Sequence, residues 1–100
     1  VIRTHDPHVL EYVAAAEVPE APVSLPPDMV HVVIPPCRWA VFSHRGPTAT
    51  LDHTVNYVYA CWLLQSGEAH AYHPDLEVYD QRFDAGSPDS IVDYAIPLAD

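Results

Sequence analysis

Two short stretches of the chain contain the residue types that could do chemistry. Residues 57–64 are rich in aromatic side chains and include Trp62, and residues 74–80 place Glu77 and Tyr79 two positions apart. Side chains two apart in a strand point to the same face, so this carboxylate and this phenol are expected side by side. Negative charge and aromatic ring faces both attract a cation. The spacing therefore predicts a binding site for an organic cation around Glu77.

The seven histidines offer a rival chemistry, which is metal binding. His5 and His8 are three residues apart, as are His70 and His73, and Asp75 follows the second pair closely. Histidine and carboxylate side chains bind zinc or copper. Neither pair lies on a predicted helix, where that spacing would bring both rings together. We therefore expect loop or surface histidines, and the sequence predicts no metal site and no cofactor.

The overall charge narrows the classes of partner. The chain of 100 residues is 49% apolar and has a formal net charge of -10, with four arginines and no lysine. Nucleic acids and anionic membrane surfaces both require a basic face on their partner, so neither is an expected partner of this chain. An acidic surface instead attracts cations. The sequence has no apolar run long enough to span a membrane, so we expect a cytoplasmic protein with a cationic or neutral ligand.

Cys37 and Cys61 are the only cysteines, and their spacing fits no metal or redox motif. Free cysteine is among the most buried residue types, so we expect buried free thiols. The sequence leaves a disulfide open as the alternative.

The elements that must position these residues form an α+β pattern. Gly46-Pro47 marks a turn, after which apolar residues at helical spacing predict one long helix at about residues 48–64, with Gly67 as its C-terminal cap. The predicted order is two strands, a proline-rich connection, and then strand, helix, strand and strand. Strands are predicted at residues 1–8 (with a turn at Asp6-Pro7), 9–18, 38–44, 72–83 and 91–98, and residues 29–34 form a further β-rich stretch. This order indicates one long helix packed on an antiparallel sheet, in a single domain.

The order and spacing of these residues resemble the GyrI-like small-molecule-binding domain, which is also the effector-binding module of AraC-type and MerR-type multidrug-responsive regulators. The resemblance covers roughly residues 9–98. It rests on Glu11 to Ala15, Pro26 to Met29, Ile34-Pro35, Trp39 to Pro47, Leu51, Tyr57, Tyr59, Trp62-Leu63, Ser66-Gly67 and Pro74 to Asp80.

The resemblance implies a tandem pair of β-α-β-β units with a ligand pocket between them. Residues 38–98 would be the complete second unit, and the first unit would be partial, because a strand and a helix are expected before Val1. The apolar surface left uncovered predicts a homodimer that supplies the missing cover.

The resemblance also assigns the site residues. Glu77 matches the family's pocket glutamate, and the expected ligand is a lipophilic, cationic compound, bound for drug sensing or sequestration. The residues expected to bind it are Glu77, Tyr79, Trp39, Tyr59, Trp62 and Tyr12. Two alternatives stay open: a hydrolase of strained reactive natural products, in which Glu77 would act on water, and a protein-interaction module like the family's gyrase inhibitors.

Overall fold

The computed structural model describes the backbone of residues 2–6, 9–20 and 23–100, and the side chains of residues 12–20 and 23–100. The fold is α+β, as the sequence predicts. Part of the turn expected at Asp6-Pro7 lies outside the described residues. The strands are β1 (Ile2–Asp6), β2 (Val9–Tyr12), β3 (Arg38–Arg45), β4 (Leu76–Val78) and β5 (Ile91–Leu98).

The helical region lies between β3 and β4 and consists of four consecutive segments. A 3-10 turn at Thr48–Thr50 leads into helix α1 (Leu51–Tyr57), which is followed by a π-helical segment at Val58–Trp62 and helix α2 (Leu63–Ser66). Gly67 follows with a positive φ of 77°, so the predicted glycine cap is confirmed. The helical region is two residues longer than predicted, and its π-helical segment was not predicted.

The strands form two antiparallel sheets. In the larger sheet the order is β3-β5-β4, so the last strand in sequence occupies the centre. β3 and β5 pair from Arg38 opposite Leu98 to Arg45 opposite Ile91. β4 pairs with the other edge of β5 and places Glu77 opposite Tyr94. β1 and β2 form the separate two-stranded sheet.

The core lies between the helical region and one face of the larger sheet. Tyr94, Ile96 and Leu98 alternate along β5 on that face and contact Val58, and both Ile96 and Val58 are fully buried. Partly buried apolar side chains surround this cluster, namely Ala40, Phe42, Val55, Tyr59, Trp62 and Leu63. The alternation of β5 and the helical spacing of residues 51–62 therefore converge on one apolar layer.

Two strand predictions, at residues 9–18 and 72–83, were too long, and the β-rich stretch at residues 29–34 forms no strand. β2 ends at Tyr12 instead of residue 18, and residues 29–34 form no strand, because neither stretch has a pairing partner in the part of the chain that the structure describes. The strand expected at residues 72–83 is reduced to β4. Pro74 precedes that strand, Tyr72 has a positive φ of 62°, and the Asp80 carboxylate accepts hydrogen bonds from Arg82 in a turn.

The two cysteines are free, as expected, but they are not both buried. Cys37 is partly buried and Cys61 is exposed on the helical region. Among the described residues, no helix has the length and apolar character needed to cross a membrane.

Candidate functional site

An open groove runs between residues 12–36 and the larger sheet, which contributes β4 and Trp39 of β3. Its volume of about 1520 Å³ exceeds the roughly 300–1,000 Å³ of a typical small-molecule pocket, and the groove is open to solvent. Four of the six residues predicted to bind a ligand line it: Tyr12, Trp39, Glu77 and Tyr79. These four residues come from separate parts of the chain, and the strand register places Glu77 on the same face of the sheet as Tyr94 and Trp39 on the opposite face.

Glu77 and Tyr79 form the closest polar pair in this groove. The hydroxyl group of Tyr79 donates a hydrogen bond of 2.6 Å to Oε1 of Glu77. Burial raises the pKa of Tyr79 above its ordinary value of 10.0, and the nearby Glu77 and Tyr12 raise this pKa further. Tyr79 consequently keeps its proton at neutral pH and remains a hydrogen-bond donor to the carboxylate.

The Tyr79 ring contacts Phe83 and remains partly exposed. Tyr79 is 43% exposed, and its ring packs edge-on against Phe83, with ring centroids 5.0 Å apart. Glu77 lies opposite Tyr94 in the sheet and adds to the raised pKa of that phenol. The carboxylate is therefore partly buried between two phenols, while the ring of Tyr79 still meets solvent.

No described arginine neutralises Glu77. Arg38 pairs with Glu68 and Arg45 with Asp89, whereas Arg82 bridges two other carboxylates, those of Asp80 and Asp93. Within the side chains that the structure describes, the negative charge of Glu77 is thus left available to a cationic ligand.

Tyr59 and Trp62, the other two predicted binding residues, lie on the helical side of the larger sheet. Trp62 packs against Phe42 with ring centroids 5.0 Å apart and an interplanar angle of 75°. Tyr59 donates a hydrogen bond to Asp75 and packs on the core cluster. Neither side chain lines the groove, although Asp75, which accepts the Tyr59 hydrogen bond, also accepts one from Tyr94, the residue opposite Glu77.

Sequence reasoning missed a second carboxylate, Asp75, which anchors a buried polar cluster. Asp75 is only 7% exposed and accepts hydrogen bonds from the hydroxyl groups of Tyr59 and Tyr94 and from Nε2 of His70. The Tyr94 bond measures 2.8 Å and the His70 bond 2.7 Å. The only signal in the sequence was the closeness of His70 to Asp75, which we considered as a metal pair and set aside in favour of a loop or surface histidine.

The hydrogen bonds of His70 show which of its ring nitrogens carries the proton. The Tyr72 backbone N–H donates to Nδ1 of His70 at 2.9 Å, so Nε2 carries the proton that is donated to Asp75. Both ring nitrogens are engaged, which leaves this histidine neither a metal ligand nor a free base. Across the described residues, no group of three or more potential metal ligands comes together.

Comparison with known proteins places the chain in a family. The GyrI-like small molecule binding domain matches residues 2–99, so this chain belongs to the GyrI-like family and is a small-molecule-binding domain. The family resemblance inferred from the residue order is therefore confirmed.

Two relatives show similarity at the level of sequence. The transcriptional regulator BrlR of Pseudomonas aeruginosa is 34% identical over 108 residues, which cover 94% of this chain and 39% of that protein. A non-reducing polyketide synthase of Byssochlamys spectabilis is 36% identical over 59 residues, covering 59% of this chain and 2% of the synthase. The chain thus spans well under half the length of the regulator that it resembles.

Proposed function

We propose that this domain binds lipophilic organic cations in the groove beside Glu77, for drug sensing or for sequestration. The observation that carries the proposal is the Glu77–Tyr79 pair, a carboxylate without an arginine partner among the described residues, in a groove where Tyr12 also lies against Tyr79. A cation near these rings gains about 0.5–2 kcal/mol from each favourable ring face.

The charge of the whole chain supports a cationic ligand. With a formal net charge of -10, the domain attracts cations and repels anions before contact is made. The attraction becomes specific at Glu77, because the partly buried groove screens a charge pair less than bulk water does.

The test is a calorimetric titration with two molecules of the same shape. One is benzyl(hydroxyethyl)dimethylammonium, and the other is the neutral alcohol in which carbon replaces its nitrogen. We expect Glu77→Gln to weaken binding of the cation about tenfold or more, because a close charge pair at partial burial contributes several kcal/mol before desolvation. Binding of the neutral alcohol should change less than about twofold.

Glu68→Gln is the matched control, since it removes the same charge from a residue that pairs with Arg38 and does not line the groove. An equal loss of affinity for the cation and the alcohol in the Glu77→Gln protein would contradict the proposal. A strained electrophilic ligand tests the hydrolase alternative: turnover that is lost in the Glu77→Gln protein would support hydrolysis, and recovery of that ligand unchanged would support binding.

The setting of the domain is part of the same proposal. The similarity to a transcriptional regulator supports a role as the effector-binding part of an AraC-type or MerR-type multidrug regulator, which would work in the cytoplasm. Exposed apolar side chains such as Met29, Val30 and Val33 support a homodimer that covers them.

A further inference from the structure

We propose that the free edge of β3 pairs with the same edge of a second copy of this chain, so that two three-stranded sheets join into one continuous sheet. This inference rests on the homodimer in the proposed function and adds the surface through which the two copies meet. β3 (Arg38–Arg45) is an outer strand of its sheet, with β5 on its inner side.

The backbone of β3 directs hydrogen-bonding groups at this edge. The N–H group of Gly46 donates to the carbonyl oxygen of Ser90 at 2.8 Å, and the register of β3 with β5 continues from this pair without a break. Hydrogen-bonded pairs alternate along antiparallel strands, so the residues between them direct their N–H and C=O groups away from β5. These residues are Trp39, Val41, Ser43 and Arg45. In the described part of the chain, no strand pairs with them on that side.

This edge lacks the features by which natural sheets avoid pairing with another chain. Short length, proline, bulges and free charges are the usual ones. β3 has eight residues, contains no proline and pairs with β5 without a bulge. Its two charged residues lie at its ends, where Arg38 pairs with Glu68 and Arg45 with Asp89. The other outer strand, β4, has only three residues. The long edge of β3 is therefore the one suited to a further strand.

The charge of this edge favours a second copy as the partner. The chain has a formal net charge of -10, so two copies repel each other unless they meet where negative charge is absent. β3 contains no acidic residue, and ion pairs compensate both of its arginines. Two β3 edges therefore meet without placing free like charges opposite each other.

The side chains of β3 are complementary to themselves about a two-fold axis at Val41. Antiparallel pairing about this axis places Val41 opposite Val41 of the second copy. The neighbouring pairs are then Ala40 with Phe42, and Trp39 with Ser43. A small side chain thus lies opposite a large one on both faces of the joined sheet. Val41, which is 57% exposed in the single chain, becomes covered.

Sedimentation equilibrium of two variants at position 41 tests this pairing. Val41→Pro removes an N–H group that points at the edge, and an edge strand tolerates proline where its N–H group would face solvent. We expect this variant to keep its thermal unfolding transition and to weaken the dimer at least about tenfold, because two hydrogen bonds between the copies are lost. Val41→Thr is the matched control. It keeps the N–H group, and threonine pairs favourably with threonine across strands, so it should weaken the dimer less than about threefold.

A second measurement uses only the unaltered protein. In an NMR sample that mixes isotope-labelled and unlabelled copies, the Cα proton of Ala40 in one copy should show an NOE to the Cα proton of Phe42 in the other. These two residues would form a pair without hydrogen bonds, in which the Cα atoms of neighbouring strands approach most closely.

Each outcome decides the inference. A Val41→Pro dimer as tight as the unaltered one, or a dimeric sample without the NOE between Ala40 and Phe42, would overturn the pairing of β3 while the proposed homodimer stood. A monomeric mass at every concentration would overturn the homodimer and this inference together. None of these results bears on the binding of cations in the groove, which the calorimetric titrations measure separately.

Discussion

At the scale of single residues, two carboxylates two positions apart have different surroundings. Asp75 is buried, and its carboxylate is satisfied by hydrogen bonds from two phenols and one imidazole. Among the described side chains, Glu77 accepts a hydrogen bond from Tyr79 alone, and it lines the groove. Asp75 therefore contributes to the fold, whereas Glu77 keeps the capacity to meet a ligand.

The Asp75 cluster predicts a loss of stability in alkali. Burial and the Asp75 charge raise the pKa of Tyr94 above its ordinary value of 10.0, and Tyr59 is shifted in the same direction. A raised pKa in the folded state means that the stabilisation is complete below pH 10 and is lost as pH rises above it, because the unfolded chain releases its protons first. Urea unfolding experiments between pH 8 and 11 measure how steeply the free energy of unfolding falls with pH.

Tyr94→Phe is the informative variant for this cluster. At neutral pH it should lower the free energy of unfolding by about 1.5–3 kcal/mol, the usual contribution of a hydrogen bond to a charged group. Above pH 10 its stability should fall less steeply than that of the unaltered protein. The exposed Tyr72→Phe control should keep the full slope. Equal slopes in the Tyr94→Phe protein and the unaltered protein would show that this phenol does not carry the effect.

At the scale of elements, the periodicity of apolar residues predicted the elements that pack on the one apolar layer. Helical spacing located the helical region, and alternation located β5, because both patterns reflect burial on one face. Strand length was not predictable in the same way. Residues 13–18 and 29–34 have strand-like sequences but no partner strand among the described residues, and pairing is a property of two segments.

In the candidate site, too, the sequence predicted a local contact and missed a cluster that joins distant elements. The two-residue spacing of Glu77 and Tyr79 was enough to predict their contact, since it is local to one strand and its end. The Asp75 cluster joins three distant elements, the π-helical segment, the loop before β4, and β5. No local spacing encodes such a cluster. The placement of Tyr59 and Trp62 away from the groove likewise follows from packing between helix and sheet.

At the scale of the whole molecule, exposed apolar side chains predict self-association. Val30 is 62% exposed, Val33 71% and Val41 57%, so the described part of the chain leaves apolar surface uncovered. We expect sedimentation equilibrium to give the mass of a homodimer at micromolar concentrations. Val33→Glu should shift the equilibrium toward monomer, because it places a charge in that surface.

Ala49→Glu is the control for this prediction, since it adds the same charge at an exposed position in the 3-10 turn. It should leave the dimer intact. A monomeric mass for the unaltered protein at every concentration would contradict the expected dimer, without bearing on the groove.

The central claim is that an organic cation binds in the groove beside Glu77, and the most direct test locates the ligand by NMR. Intermolecular NOEs should connect the N-methyl protons of benzyl(hydroxyethyl)dimethylammonium to the rings of Tyr79 and Tyr12, which line the groove beside Glu77. Trp62, packed against Phe42 on the helical side, should show none. NOEs to Trp62 without any to Tyr79 or Tyr12 would place the ligand elsewhere and contradict the account.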